Sequence, residues 1–259
     1  MQLKKAMKKS KYVIGLRSIE QLIENKTIKI NKLIVEYNPK NKRILEIVKF
    51  AKKNLIPIIS ANRSRLSQIS GESSHQGVIV EVSRNLIQSE AELRSYIESK
   101  LEIVDSSSLL FLVLENIKDP HNLGACMRTA CAAGVDAIIV NRSNSVSITS
   151  TVSKVACGAA EIVPLIRVKS LKKVLTWMGE YGINRIGTSE NASKNLFETN
   201  IKGHTLLVMG EEHSGISKMA QKNCDNLLKI PMKGNLSSLN LSVATGICLF
   251  EINRKNLIS

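Results

Sequence analysis

Between residues 108 and 232 the chain returns again and again to short apolar runs: SLLFLVLE, VDAIIV, PLIRV, INRIGTS, TLLVMG and LLKIPM. A sheet with one wet face alternates apolar and polar residues, whereas a parallel sheet covered on both faces is built from strands that are apolar almost throughout. Helical stretches such as SLKKVLTWMGEYG separate the runs. Strands alternating with helices predict an α/β domain around a parallel sheet. Such sheets place ligands off the carboxyl ends of their strands, so the polar and glycine residues that follow each run are where chemistry is expected.

Residues 1–84 read as a smaller mixed α/β domain. After a basic leader, IKINKLIVEY (28–37) is rich in β-branched residues, and KNKRILEIVKFAKKN places Ile44, Ile47, Val48 and Ala51 on one helical face. LIPIISA (55–61) and GVIVEV (77–82) read as strands, with turn-forming Ser, Gly and His between them. The more polar stretch 85–104 reads as a linker. It holds a short helix over 90–100, started by a capping box in which Ser89 is followed by Glu92. The second domain then occupies 105–259.

Charge separates the two domains. Residues 1–84 carry 18 Lys or Arg against 6 Asp or Glu, a net +12, while 85–259 carry 19 against 16, a net +3. A one-sided excess suits a surface that binds a polyphosphate, because neutralising phosphates releases condensed counterions; a solubilising face is the plainer alternative. Lys4, Lys5, Lys8, Lys9, Lys11 and Arg17 are the candidate phosphate contacts. No run approaches the ~20 apolar residues of a membrane helix, and the basic N-terminus lacks the apolar region of a secretory signal. The five cysteines show neither CxxC pairing nor zinc-site spacing. A soluble, cytoplasmic protein with reduced thiols, no metal and no membrane partner is expected.

Three segments carry candidate chemistry. In ENIKDPHNLGACMRTACAAGV (115–135) a strand ends in a loop and a helix is expected over Leu123–Ala133, so that Asn122, Gly124 and Arg128 point toward one oxygen-binding spot; an Asn cap with a surface Arg is the alternative. In TLLVMGEEHSGIS (205–217), Gly210 would let a ligand approach the backbone and Glu212 would bind a hydroxyl or cation, unless this is an ordinary strand-to-helix turn. No Walker loop or other phosphate-binding glycine fingerprint is present, which weighs against a nucleotide-binding α/β enzyme. In LLKIPMKGNLSSLNLSVATGICLFEINRK (227–255), Ser237, Ser238 and Asn240 crowd a helix start beyond what capping requires, and Val243, Ile247 and Phe250 follow at helical spacing and read as core.

In this order the segments resemble the signature motifs of the SpoU (TrmH) family of RNA ribose methyltransferases. DPHNLGACMRTACAAG, VACGAAEIVPLIRV, LLVMGEEHSGIS and IPMKGNLSSLNLSVATGICLFE span most of residues 110–254, and HQGVIVEV with the small domain before it extends the likeness to nearly the whole chain. The resemblance implies a SPOUT α/β domain tied in a deep trefoil knot, preceded by a substrate-binding domain like ribosomal protein L30e. It implies S-adenosylmethionine held at Gly210, Ile230 and Leu239, a catalytic arginine at Arg128, and Asn122, Glu212, Ser238 and Asn240 as the other polar site positions. It also implies a homodimer whose subunits complete each other's sites through the last helix, Leu239 to Arg254. His213 departs from the pattern, since close relatives usually carry glycine there.

The activity implied is 2'-O-methylation of a ribose, that of a guanosine in 23S rRNA, free or in the assembling large subunit. Family relatives also act on tRNA or confer antibiotic resistance through rRNA. A non-catalytic RNA-binding assembly factor is the alternative from another class, and retention of the five polar site residues argues for the enzyme. A sulfonium is an activated methyl donor, so positioning and charge at the attacking oxygen dominate the chemistry. The family's arginine is proposed as the base; since a guanidinium ordinarily titrates at about 12.5 or above, stabilisation of the 2'-oxyanion by a charged Arg128 is the second role considered.

Overall fold

The structure, a computed structural model, describes residues 10–24, 29–71, 73, 75–83, 87, 89–103, 108–211, 214–234 and 238–257. The chain divides into two units, Met1–Leu86 and Ile87–Ser259. The first contains β1 (Ser10–Ile14), α1 (Leu16–Glu24), β2 (Lys29–Glu36), α2 (Lys42–Lys53), β3 (Ile58–Ala61), α3 (Arg63–Ser70) and β4 (Val78–Ser83). Its strands lie in the order β1-β4-β2-β3, with only β2 and β3 parallel. Side-chain alternation decides the layers. Val13, Leu33, Val35, Val78, Val80 and Val82 meet Ile19, Leu22, Ile44 and Ile47 from α1 and α2 on one face, while Ile34, Ala61 and Ile79 meet Leu66 of α3 on the other.

Two expectations for this unit are corrected. The interval expected as turns after LIPIISA contains α3, which Asn62 starts by accepting a hydrogen bond from the Arg65 N–H (2.8 Å) and Gly71 ends in the left-handed region (φ 72°). Its caps are legible, but Leu66 is its one buried residue, so no apolar period announces it. Part of the basic leader is likewise regular structure: Lys11 lies in β1 opposite Val82, and Arg17 is an exposed residue of α1. Lys4, Lys5, Lys8 and Lys9 lie outside the described residues.

The second unit runs α4 (Glu90–Leu101), β5 (Leu110–Leu114), α5 (Pro120–Ala132), β6 (Ala137–Asn141), α6 (Ser150–Ala156), α7 (Ala159–Ile162), β7 (Leu165–Val168), α8 (Leu171–Glu180), β8 (Asn184–Thr188), β9 (Lys194–Asn195), β10 (Thr205–Met209), α9 (Lys218–Asn223), β11 (Asn226–Lys229) and α10 (Leu241–Leu257). Seven strands pair in parallel in the order β7-β6-β5-β10-β8-β11-β9. Every residue of β5 and β10 is buried, as strands covered on both faces require. Leu112, Leu114, Ile138 and Leu207 pack toward α5, α6, α7 and α10. Phe111, Val113, Ile139 and Val208 pack toward α4, α8 and α9. Burial pushes the Cys224 and Cys248 thiols up to about 12, and all five cysteines are free.

The helix inside 85–104 is no linker. Ser89 does cap it, accepting from the Glu92 N–H at 3.2 Å, but Leu93 and Ile97 are fully buried in the second core. Tyr96 O–H donates to Asp136 (2.5 Å), Trp177 Nε1–H to Glu90 (3.1 Å) and Tyr181 O–H to Glu98 (2.6 Å). The segment looked polar because only one narrow face of a short helix is apolar. A second correction concerns α10. Its buried side is Leu241, Thr245, Cys248, Leu249, Glu251 and Ile252, whereas Val243 and Phe250, read as core, are 51% and 52% exposed, and Ile247 is half-buried. The apolar residues of α10 cover more of its circumference than its own domain can bury.

Ile97→Ala should therefore cost about 2–5 kcal/mol of unfolding free energy, as a truncation in a packed core does. Urea denaturation reads this directly; a linker position would show a change within roughly 0.5 kcal/mol.

Candidate active site

The carboxyl ends of β8, β10 and β11 open into one cleft of about 220 Å³. Three loops wall it: Thr188 to Asn191 after β8, Gly210, Glu211 and Ser214 to Ile216 after β10, and Lys229, Ile230 and Met232 after β11, with Ser238, Leu239 and Leu241 closing it from the start of α10. Leu228, Ile230, Leu239 and Ile216 make an apolar wall, while Glu190, Asn191, Gln221 and Ser238 add polar groups.

The second loop folds back on itself. Glu211 and Gly215 form a β-bridge in which the Gly215 N–H donates to the Glu211 carbonyl (2.9 Å). A Cβ on Gly210 would overlap the Gly215 carbonyl and the Ile216 nitrogen. The glycine is thus needed first for the protein's own backbone to curl over it, and its main chain is left facing the cleft. The curl is anchored from β5. Glu115, only 4% exposed, accepts the Ser217 N–H (2.8 Å) and Oγ–H (2.7 Å), and Ser217 Oγ in turn accepts the Ala220 N–H (3.1 Å) to start α9. Lys118 pairs with Glu211 at 2.8 Å.

The first motif starts its helix earlier than expected. Asp119 caps α5 by accepting from the His121 N–H (2.9 Å), and Pro120 fits the first turn, where no N–H is needed. Asn122 therefore lies in the helix and is not its cap. Its Oδ1 accepts from Asn240 Nδ2 at 3.0 Å, and Asn240 Oδ1 accepts the Ser242 N–H (3.0 Å), tying the first and third motifs together at the start of α10. Gly124 points elsewhere: a Cβ there would come within 2.7 Å of Val155 Cβ, so it serves close packing of α5 on α6. Arg128 is exposed, with Nη1 3.8 Å from Cys157 Sγ at the end of α6, and does not line the cleft. The convergence of Asn122, Gly124 and Arg128 is thus not observed: Asn122 and Arg128, six residues apart, face different ways, while Gly124 and Arg128, four apart, share the side toward α6.

Of the residues singled out in the sequence, Gly210, Ile230, Leu239 and Ser238 share the cleft, and Asn122 pairs with Asn240. Glu212 and His213 lie outside the described residues, as does Ser237. Glu190, Asn191, Gln221 and Glu115 were missed. The rule that ligands sit at carboxyl strand ends pointed to Glu190 and Asn191, which follow INRIGTS directly. The role of Glu115 rests on a partner 102 residues away, for which local sequence holds no signal.

Residues 109–250 match the family model described as the SpoU rRNA Methylase family, and residues 12–86 match the one described as RNA 2'-O ribose methyltransferase substrate binding. The chain belongs to the SpoU rRNA methylase family. This SpoU protein is 40% identical over 243 residues to the 23S rRNA (guanosine-2'-O-)-methyltransferase RlmB of Pseudomonas aeruginosa, covering 94% of this chain and 96% of the relative. It is 39% identical over 246 residues to the enzyme of the same name from Escherichia coli K12, covering 95% and 99%. The SpoU methyltransferase AviRb of Streptomyces viridochromogenes shares the fold, with a TM-score of 0.68 at 22% identity over 96% of this chain and 90% of that one.

Glu115→Ala should lower stability by roughly 1.5–3 kcal/mol, the range for hydrogen bonds to a charged group. Combined with Ser217→Ala it should cost at least about 0.5 kcal/mol less than the two singles summed, as expected for partners in one network. Strict additivity in denaturation would show that the two do not act together.

Proposed function

We propose that this chain transfers the methyl group of S-adenosylmethionine to the ribose 2'-hydroxyl of a guanosine in 23S rRNA, acting as a cytoplasmic homodimer whose methyltransferase domain is knotted around the cofactor site. The observation that carries this reading is the gathering of Gly210, Ile230 and Leu239 from two separated motifs into one cleft. Near-full-length identity of about 40% to enzymes named for that reaction supports the substrate. The cleft suits the cofactor, since an apolar wall fits a flat purine and the polar groups beside it fit ribose hydroxyls and an amino-acid end.

S-adenosylmethionine supplies a methyl group already activated on a positively charged sulfur. The chain has to bind, orient and manage charge at the attacking oxygen. Gly210, Ile230 and Leu239 would hold the cofactor. Ser238 and the Asn122–Asn240 pair would orient the ribose, with Glu212 as a further polar contact. Arg128, kept charged, would stabilise the 2'-oxygen as it loses its proton to phosphate or water. A guanidinium becomes a base only under strong desolvation.

Arg128 does not line the cleft of its own chain, and α10 leaves Val243 and Phe250 open to solvent. Both observations favour a dimer in which Arg128 of one copy serves the cleft of the other. The basic first unit, with Lys4, Lys5, Lys8, Lys9, Lys11 and Arg17, would supply phosphate contacts to the rRNA. No helix among the described residues is long and apolar enough to cross a membrane.

Arg128→Ala should leave S-adenosylmethionine affinity within a few-fold and reduce methyl transfer by ~100-fold or more. Gly210→Ala should abolish measurable cofactor binding by displacing the 211–216 turn. Mixing the two inactive variants should restore roughly a quarter of wild-type turnover, since random exchange puts one intact site in about half the dimers. No recovery despite subunit exchange would refute a shared site.

A further inference from the structure

We infer that the first unit captures one unpaired nucleotide of the RNA in a pocket beside α3, on the open part of the sheet face that α3 covers only partly; this rests on the function proposed above. The opening follows from lengths. α3 and β2 both have eight residues, but a helix of that length runs about 12 Å and a strand about 26 Å, so α3 leaves part of its face bare. The gap is a cavity of about 530 Å³ lined by Tyr12, Lys32, Tyr37, Ile59, Arg65 and Ile69 among others.

Its chemistry selects the occupant. The chain has four tyrosines. Tyr96 and Tyr181 hydrogen-bond carboxylates in the second unit, whereas Tyr12 and Tyr37 both line this pocket. Tyr37 is 63% exposed just beyond β2, and Ile59 on the edge strand is 47% exposed. An exposed ring beside an apolar floor offers a stacking platform that any base can use. Cations flank it. Lys32 reaches in while paired with Glu81 at 2.7 Å. Arg65 is exposed, hydrogen-bonds Gln68 (3.3 Å) and meets no acid among the described residues, leaving its guanidinium available to a phosphate. A ring, an apolar floor and a phosphate-binding cation together fit a splayed nucleotide; bases in a duplex are already stacked and cannot enter.

The test measures binding of the full-length protein to a 23S rRNA transcript and to a fully paired RNA duplex, with methyl transfer followed in parallel. Tyr37→Ala should weaken transcript binding by about 5- to 150-fold, the range for losing one base stack, and leave duplex binding unchanged. Tyr37→Phe should retain wild-type affinity. Arg65→Gln should make the slope of log affinity against log salt shallower by about 0.7, one single-strand phosphate contact. Unchanged transcript affinity in Tyr37→Ala and Arg65→Gln, with methyl transfer intact, would overturn the pocket alone. Equal losses on transcript and duplex would also overturn it, since Tyr37 would then track the backbone. Wild-type protein that neither binds nor methylates the transcript would overturn the proposed function and the pocket with it.

Discussion

Coverage of a parallel sheet on both faces governs this molecule. Once α5, α6, α7 and α10 bury one side and α4, α8 and α9 the other, polar groups have nowhere to converge except past the strand ends. Three neighbouring strands, β10, β8 and β11, then aim their following loops at a common volume. The site is made of loops, but its shape is held by the sheet. The buried Glu115 carboxylate at the end of β5 fastens Ser217, and through it the turn that curls over Gly210. A charge is tolerated there because Ser217 alone gives it two hydrogen bonds.

Legibility followed the kind of signal each element carries. The apolar runs of the second unit located β5, β6, β7, β8, β10 and β11, because a strand buried on both faces must be apolar whatever its neighbours are. α2 was legible from Ile44, Ile47 and Ala51 at helical spacing. α3 has a single buried residue, and its caps alone did not outweigh its polar composition. α4 was found through Ser89 and Glu92, yet its attachment was not, since Trp177 and Asp136 are 87 and 40 residues from their partners.

At the site, the motif residues Gly210, Ile230 and Leu239 line one cleft. What local reasoning missed was direction. Gly124 and Arg128, four residues apart, both lie on the side of α5 toward α6, whereas Asn122 faces Asn240 at the start of α10. Val243 and Phe250 were read as core from helical spacing alone, which cannot tell a buried apolar face from an exposed one. The apolar face of α10 that its own domain leaves exposed and the position of Arg128 away from its own cleft are the two observations on which the proposed dimer with shared sites rests.

The most direct test supplies the purified protein with S-adenosylmethionine labelled in its methyl group and a 23S rRNA transcript. Digestion by alkali then distinguishes the product, because cleavage requires a free 2'-hydroxyl next to the phosphate and a methylated ribose blocks it. The account expects label in a single alkali-resistant dinucleotide with a 2'-O-methylguanosine at its 5' side, and no transfer to a transcript with 2'-deoxyguanosine at that position. Label released as an ordinary mononucleotide methylated on its base, or transfer that survives the deoxy substitution, would contradict it.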